Sequence, residues 1–409
     1  MTAGTLIIGG GLAGFECARQ LRNMGYKDSV RILSSENLFP YQRPPLSKDA
    51  LKATDPDVPF LSEEAELRSL EIVLHKGREA TSIDKVRRVV TTSDGVEYPF
   101  DTLVIATGAR PKTISAPGAG ATDFYTLRDW GDARVLGDAL REAENVCVVG
   151  GGVIGLEVAC AAVGLGCNVR VIEQQSRIMS RSLPAQMAQL LQRLLEEKGI
   201  GFELGASILR IDRNKSVEAI CLADGTCIPA DLTFVGIGVS PRDELAEAAG
   251  IAVSDGVLAD ERGRTSDANV FAVGDAARWG AHPGKPGCRH ETYNDAMAQA
   301  RIVAGEIAGQ DCAASILPTF WSEQAEIYIQ GAGEAQGDDL VLRRSKTSGA
   351  ASCLVLKEGR ATGAFAIGAP SDFAAMRRLI GKPVANPSAL ADLEVQLRTL
   401  VQEIERAAA

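Results

Sequence analysis

Aromatic side chains make up only 5% of this 409-residue sequence, and histidine occurs three times. Set beside 45% hydrophobic residues and 42 glycines, that scarcity reads as a soluble α/β protein, with no sign of disorder before the last few residues. No apolar run approaches the roughly 18 residues of a membrane span. The apolar opening from Thr5 to Phe15 has no basic segment ahead of it and does not read as a secretory leader. The expected compartment is the cytoplasm. Nine cysteines form no C-x-x-C and no zinc-ligand spacing, so no metal is expected. Their odd number and scattered positions fit a reducing compartment, with Cys147 and Cys160 acting as small buried hydrophobes. Positive charge is also short. The net charge of -10 argues against nucleic acid as a partner. The deficit is uneven, because residues 313–409 hold 10 Lys+Arg against 11 Asp+Glu.

What the chain does have is glycine in two matching turns. Gly9-Gly10-Gly11-Leu12-Ala13-Gly14 follows the apolar run Thr5 to Ile8, and Gly150-Gly151-Gly152-Val153-Ile154-Gly155 follows Val146 to Val149, 141 residues later. Each reads as a strand entering G-x-G-x-x-G and then a helix. The first glycine makes the bend, the second lets backbone approach a pyrophosphate, and the third lets helix and strand pack closely, so that the helix N-terminus faces phosphate. An acid about 20 residues on is expected to hold a ribose hydroxyl. Glu36 lies 22 residues past Gly14 and Glu173 lies 18 past Gly155. Two complete fingerprints imply an enzyme that binds two dinucleotides and moves electrons between them.

The length exceeds what one core usually holds. Residues 1–112 read as strand, helix, strand, a proline-rich loop (Phe39 to Lys48), short strands and a final strand ending at Ala106-Thr107-Gly108. Residues 113–242 form a second α/β unit that leaves through Gly236 and Gly238. The first type of pattern then returns, with a strand ending in Gly274-Asp275 and a helix from Glu291 to Gly309. A third unit begins near Ala313, with strand-like runs at 327–329, 352–356 and 361–367. The partition is 1–112 with 243–312, an inserted 113–242, and 313–409.

These motifs together resemble the two-dinucleotide flavoproteins of the pyridine nucleotide-dependent oxidoreductases, over the whole length. The resemblance implies two Rossmann-like domains of the glutathione reductase type and a C-terminal α+β domain. It also implies an FAD site at the first fingerprint (Gly9, Gly11, Leu12, Ala13, Gly14), Glu36, Ala80, Ala106, Thr107, Gly108, Gly274 and Asp275, with Glu291, Thr292 and Tyr293 nearby. Ser35 stands where relatives often carry an acid, and Tyr293 where they carry tryptophan or an aliphatic residue. NADH would lie along Gly150, Gly152, Val153, Ile154 and Gly155, with Glu157, Glu173, Gly236 and Gly238. The disulfide reductases of this family place redox cysteines after the ribose-binding strand or in the nucleotide domain, and a histidine in the C-terminal domain. Here no cysteine stands between Cys17 and Cys147, and His75, His282 and His290 all precede residue 313. The flavin's electrons are therefore expected to leave to an external acceptor.

In place of the cysteines stands Arg43-Pro44-Pro45-Leu46-Ser47-Lys48, and Phe320-Trp321-Ser322-Glu323-Gln324-Ala325-Glu326 stands in the third unit. Both segments are similar to putidaredoxin reductase, rubredoxin reductase and the ferredoxin reductases of aromatic-ring dioxygenases. The resemblance implies that Lys48 lies near flavin N5, that Arg43 and Arg128 lie by the FAD, and that Glu157 lies near the nicotinamide and pairs with Lys48. Trp321 is either part of the electron exit or a core anchor. The implied reaction passes hydride from NADH to FAD and single electrons to a 2Fe-2S ferredoxin, which feeds a Rieske-type dioxygenase or a cytochrome mono-oxygenase. NADH is expected over NADPH because Glu173 would repel a 2'-phosphate, tempered by Arg177. Arg289, Arg343, Arg344 and Lys346 are the basic groups expected to meet an acidic ferredoxin. The rival readings are an NADH-rubredoxin reductase, an NADH oxidase of the same fold, and a non-catalytic redox-signalling flavoprotein. The protein is expected to be a monomer or a homodimer.

Overall fold

The computed structural model describes residues 3–118, 124–214, 217–282, 285–312, 315–345 and 349–408. Its principal elements, in chain order, are β1 (Thr5–Ile8), α1 (Leu12–Asn23), β2 (Val30–Leu33), β3 (Ile72–His75), β4 (Thr102–Ile105), β5 (Asn145–Val149), α2 (Val153–Gly164), β6 (Asn168–Glu173), β7 (Ile200–Leu204), β8 (Leu232–Val235), β9 (Val270–Ala272) and α3 (Tyr293–Ala308). The last region adds β10 (Thr319–Gln324), β11 (Ile327–Gly333), β12 (Asp339–Arg344), β13 (Ala351–Lys357) and β14 (Arg360–Ile367). No helix among the described residues is long and apolar enough to cross a membrane.

The chain divides into two compact units, one of residues 1–42, 58–110 and 239–318, the other of residues 43–57, 111–238 and 319–409. The three-way partition expected from the sequence differs from this division: it puts residues 43–57 with the rest of 1–112, whereas they group with 111–238 and 319–409, and it separates 113–242 from 313–409.

In the first unit a parallel sheet has the order β9-β4-β1-β2-β3. Its strands are short and almost wholly apolar because both faces are covered, as parallel sheets require. Leu6, Ile7, Leu103, Val104 and Ile105 are fully buried in the core it builds. Helices α1 and α3 pack against each other. The expected helix from Glu291 to Gly309 is α3, with Thr292 capping its first turn through Asp295 N and Gly309 ending it at a φ of 72°.

The second unit contains a parallel sheet of order β7-β6-β5-β8 and an antiparallel sheet of order β10-β11-β14-β13-β12. Helix α2 packs against β10, so the second fingerprint and the C-terminal strands share one unit. This is the fold class expected: two Rossmann-like domains with a C-terminal α+β domain. A three-stranded antiparallel sheet (Ile208–Asn214, Val217–Leu222, Cys227–Ala230) adds a feature the sequence did not signal. Cys221 and Cys227 face each other in register across its turn and form a disulfide, with Cα atoms 4.1 Å apart.

Candidate functional site

The two fingerprints fold alike. Gly9 sits at φ 120°, where a Cβ would lie 2.1 Å from Ala106 O, and Gly150 sits at φ 110°, where a Cβ would lie 2.5 Å from Gly236 O. The last glycine of each motif permits contact of helix and turn, since a Cβ on Gly14 or Gly155 would lie 2.0 Å from Gly9 O or Gly150 O. Helices α1 and α2 start at Gly11 and Gly152 with no side-chain cap and no acid in the first turn. Free backbone N–H groups at the positive end of a 12-residue helix fit a pyrophosphate. A Cβ on Gly152 would touch nothing within 4 Å, so the approach there is open.

In the first unit a cleft of about 500 Å³ is lined by Ile8, Gly9, Ser35, Ala80 and Thr107 among others, which brings five positions near or within the first fingerprint's expected site to one concavity. Thr107 Oγ1 donates to Arg242 O at 2.6 Å. Gly274 N donates to Gln299 Oε1 at 2.8 Å, and a Cβ on Gly274 would lie 2.8 Å from that of Ala13, so the Gly274-Asp275 segment abuts the start of α1. Glu36 does not line the cleft, and its Oε2 accepts from Tyr41 Oη at 2.6 Å. These residues fit a dinucleotide: a cradle that any side chain would fill, an uncapped helix end, and hydroxyls on the walls.

Thr292 and Tyr293 open α3, and Asp295 follows in its first turn. Asp295 is 2% exposed and neither carboxylate oxygen has a hydrogen-bond partner. Burial pushes its pKa up to about 6 against 3.8. The folded chain thus holds this proton more tightly than the unfolded chain, so the penalty is absent below pH 3.8, grows toward about pH 6 and is complete above it. The full penalty is about 3 kcal/mol. Asp295→Asn is expected to raise Tm at pH 8 and to raise it by progressively less as the pH falls to 5. A gain in thermal denaturation that does not vary with pH contradicts this assignment.

In the second unit the loop carrying Arg43 to Lys48 folds into a 3₁₀ turn at Pro44–Ser47. Lys48 Nζ lies 2.8 Å from Glu157 Oε2, on α2, so the two side chains pair as expected. Lys48 also donates to Pro44 O at 3.0 Å. Glu157 is 3% exposed. Its Oε2 also accepts from Ser47 Oγ, and its Oε1 accepts from Ser322 Oγ at 2.6 Å. Removing one partner of such a buried pair costs about 3–5 kcal/mol, because the other charge is left uncompensated. Ser47 and Ser322 stand inside the two quoted motifs, but nothing in their spacing announced that they meet. Arg43 Nη1 donates to Arg128 O, so these two arginines are also together. Trp321 is half-buried on β10, and strand alternation directs it to the face opposite Ser322.

Glu173 ends β6 and accepts from Gly151 N and from Gln175 N, both at 2.7 Å. Arg177 does not sit free beside it. Its guanidinium donates to Leu183 O at 2.9 Å and Ser180 O at 2.8 Å.

The basic groups expected at an electron exit need correction. Arg343 is 9% exposed and donates to Asp392 O, Leu393 O and Val395 O, with Asp372 Oδ2 3.2 Å away. It ties the 392–395 segment to β12, and charge reversal there would break the fold before it touched a partner. The Arg289 side chain is 8% exposed and paired with Asp255 and Glu291. Arg344 is exposed. Lys346 lies outside the described residues.

Four buried thiols are held out of chemistry. Burial pushes Cys17, Cys147, Cys160 and Cys353 up to about 12. Cys288 is exposed and lies 2.8 Å from His290 Nε2. Alkylation of the native, flavin-loaded protein is expected to label Cys288 first and to leave NADH-dependent bleaching of the flavin intact. Loss of bleaching without unfolding would reveal a redox thiol.

Residues 4–300 match the pyridine nucleotide-disulphide oxidoreductase family, and residues 319–401 match the reductase C-terminal family. The chain is 36% identical over 402 residues to the ferredoxin–NAD(+) reductase subunit of a benzene 1,2-dioxygenase system from Pseudomonas putida, covering 98% of both. It is 41% identical over 337 residues to a rubredoxin–NAD(+) reductase of Pseudomonas putida, covering 82% of this chain and 87% of that protein. A ferredoxin reductase from Rhodopseudomonas palustris superposes with a TM-score of 0.92 at 31% identity, covering all of both chains. The covalent putidaredoxin reductase–putidaredoxin complex follows at 0.91 and 31%, covering 99% of this chain and 98% of that one.

Proposed function

The chain belongs to the pyridine nucleotide-disulphide oxidoreductase family, and from that premise we propose that it is a cytoplasmic NADH-dependent reductase delivering electrons to a 2Fe-2S ferredoxin. That ferredoxin serves a Rieske-type dioxygenase or a cytochrome mono-oxygenase. As an oxidoreductase of this family it uses FAD and NAD(H). The reading rests above all on the buried Lys48–Glu157 pair, set in a chain whose nearby thiol, Cys160, is pushed up to about 12 by burial and by the Glu157 charge. With no cysteine pair where the family's disulfide reductases carry theirs, the acceptor is a second molecule, and the benzene dioxygenase relative is named as a ferredoxin–NAD(+) reductase.

FAD supplies the chemistry that takes a hydride and gives single electrons. The residues of 1–112 and 243–312 bind it: the uncapped start of α1 takes the pyrophosphate, and Ser35, Ala80, Thr107 and the Gly274-Asp275 segment enclose it. The inserted 113–242 binds NADH through Gly150 to Gly155 and Glu173. Lys48, fixed by Glu157, Ser47 and Pro44 O, presents a positive charge that favours electron density arriving at the flavin. Arg43 and Arg128, joined by the bond from Arg43 Nη1 to Arg128 O, are the residues the family resemblance sets beside FAD, and Trp321 is the residue of 313–409 that it sets at the exit.

The test follows the two half-reactions by stopped flow, with a 2Fe-2S ferredoxin, a rubredoxin and dioxygen as acceptors. Ferredoxin is expected to be reduced at least tenfold faster than the other two. Its step should slow with added salt and with Arg344→Glu, while flavin reduction by NADH hardly changes, because only the first needs two proteins to meet. Preference for rubredoxin, or turnover with dioxygen alone, overturns the ferredoxin assignment.

A further inference from the structure

Two stretches remote in sequence converge on Glu157 of α2: Ser47 and Lys48, and Ser322 with Gln324 on β10. Ser322 and Gln324 are both 0% exposed. Gln324 Nε2 donates to Ser322 Oγ at 3.1 Å, and Ser322 Oγ donates to Glu157 Oε1 at 2.6 Å. A hydroxyl has one hydrogen. If Gln324 turned its carbonyl oxygen toward Ser322, that hydrogen would be contested between the amide and the carboxylate. With the amide nitrogen turned inward, the hydrogen is committed to Glu157. Gln324 Oε1 is left buried with no hydrogen-bond partner. A buried acceptor without a partner is costly, and its persistence marks an arrangement that the surrounding network imposes.

The carboxylate of Glu157 is thereby divided. One oxygen serves Lys48 and Ser47, the other serves Ser322. Without Ser322, Oε1 loses its hydrogen-bond donor on a residue only 3% exposed, and the carboxylate turns both oxygens toward Lys48. More of the Lys48 charge is then neutralised.

We propose that Ser322, oriented by Gln324, is a positioning residue for hydride transfer, through which the C-terminal sheet sets the charge balance of the Lys48–Glu157 pair. This rests on the assignment of that pair to the flavin and nicotinamide. The effect passes through Glu157 alone and requires no contact between Ser322 and either cofactor.

The test uses the full-length, FAD-loaded protein and measures three things: the two-electron flavin potential, the single-turnover rate of flavin reduction by NADH, and NADH affinity. Losing a hydrogen bond to a charged group is worth roughly tenfold or more. With more of the Lys48 charge neutralised, Ser322→Ala is therefore expected to shift the oxidised–reduced equilibrium roughly tenfold toward the oxidised flavin, about 30 mV for a two-electron couple. The reduction rate should fall by a similar factor while NADH affinity stays within about twofold. Glu157→Gln, which leaves the Lys48 charge unneutralised, should move the potential the opposite way. In that background Ser322→Ala should add nothing, since a residue acting only through Glu157 is silent without it. Ser322→Thr keeps the hydroxyl and should restore both values. Should the alanine variant fail to fold, Gln324→Leu removes the orienting amide, leaves the hydroxyl, and should give a smaller shift of the same sign. An additive effect in the Glu157→Gln background, or wild-type values for Ser322→Ala and Gln324→Leu while Glu157→Gln moves both, overturns the proposal. If Glu157→Gln itself moves neither, it is the assignment of the Lys48–Glu157 pair that fails.

Discussion

Replacing Gly9 by alanine is expected to give a colourless protein, whereas Gly150→Ala is expected to stay yellow and fail to bleach with NADH. Both substitutions are a single methyl, and both place it where the backbone has no room. At Gly9 the Cβ would lie 2.1 Å from Ala106 O, with φ at 120°. An L residue does not adopt that φ without strain of about 1–3 kcal/mol. Relief requires the turn after β1 to move away from the end of β4, and Ala106, Thr107 and Gly108 are the residues expected to enclose the flavin. A loss of 100-fold or more in FAD affinity, about 3 kcal/mol, follows. At Gly150 the same argument runs through Gly236 O, 2.5 Å from the added carbon at φ 110°, but the displaced turn belongs to the second unit and to NADH. Flavin absorbance per chain after purification and anaerobic titration with NADH separate the two cases. Stoichiometric flavin in Gly9→Ala, or unimpaired bleaching in Gly150→Ala, means that the fingerprints have been assigned to the wrong cofactors.

The fold was legible where a local rule and a long-range need coincided. Short apolar strands entering glycine turns occur because a parallel sheet is buried on both faces and a phosphate needs bare backbone, and both causes leave their mark within ten residues. Thr292 at the start of α3 and Gly309 at its end are caps that act over a single turn, so that helix was visible to within two residues. The division into units was less legible, because what groups residues 43–57 and 319–409 with 111–238 is packing between remote segments such as α2 and β10.

The site divides along the same line. Lys48 and Glu157 could be paired in advance only because their flanking motifs resemble a known family. The serines that complete the network sit within those motifs unmarked, since a hydroxyl that donates to a buried carboxylate has the same local sequence as one that faces water. Arg343 was misjudged for the converse reason: a basic residue in a strand reads as a surface charge, and only the three carbonyls it serves reveal a structural clamp. The Cys221–Cys227 bridge was hidden because six residues of separation carry no thiol motif, and its register exists only once the Asp224-Gly225 turn has closed the hairpin.

Glu173→Arg is expected to reverse the nucleotide preference. The residue ends β6 with each carboxylate oxygen accepting one backbone N–H, Gly151 on one side and Gln175 on the other, both at 2.7 Å. Those bonds fix the carboxylate against the glycine turn and leave its remaining lone pairs for the ribose hydroxyls of NADH. A 2'-phosphate brought there meets a fixed negative charge. The nearby cation that might have softened this, Arg177, spends its guanidinium on Ser180 O and Leu183 O, so Arg177→Ala should leave the NADH-to-NADPH ratio unchanged. Arginine at 173 removes the acceptor, which costs NADH about 1.5–3 kcal/mol for a charged hydrogen bond, or roughly 10- to 100-fold in kcat/KM. It also supplies a planar donor fork suited to phosphate, so NADPH should gain by a comparable factor. Glu173→Gln separates the two terms, because it removes the repulsion without supplying a cation and should lower NADH use while raising NADPH only slightly. Steady-state kcat/KM for both nucleotides, with flavin content confirming the fold, checks the series. A ratio that stays at the wild-type value in Glu173→Arg would show that the ribose is read by other residues, and the glycine turn of Gly150 to Gly155 would then be binding the pyrophosphate without discriminating between the two nucleotides.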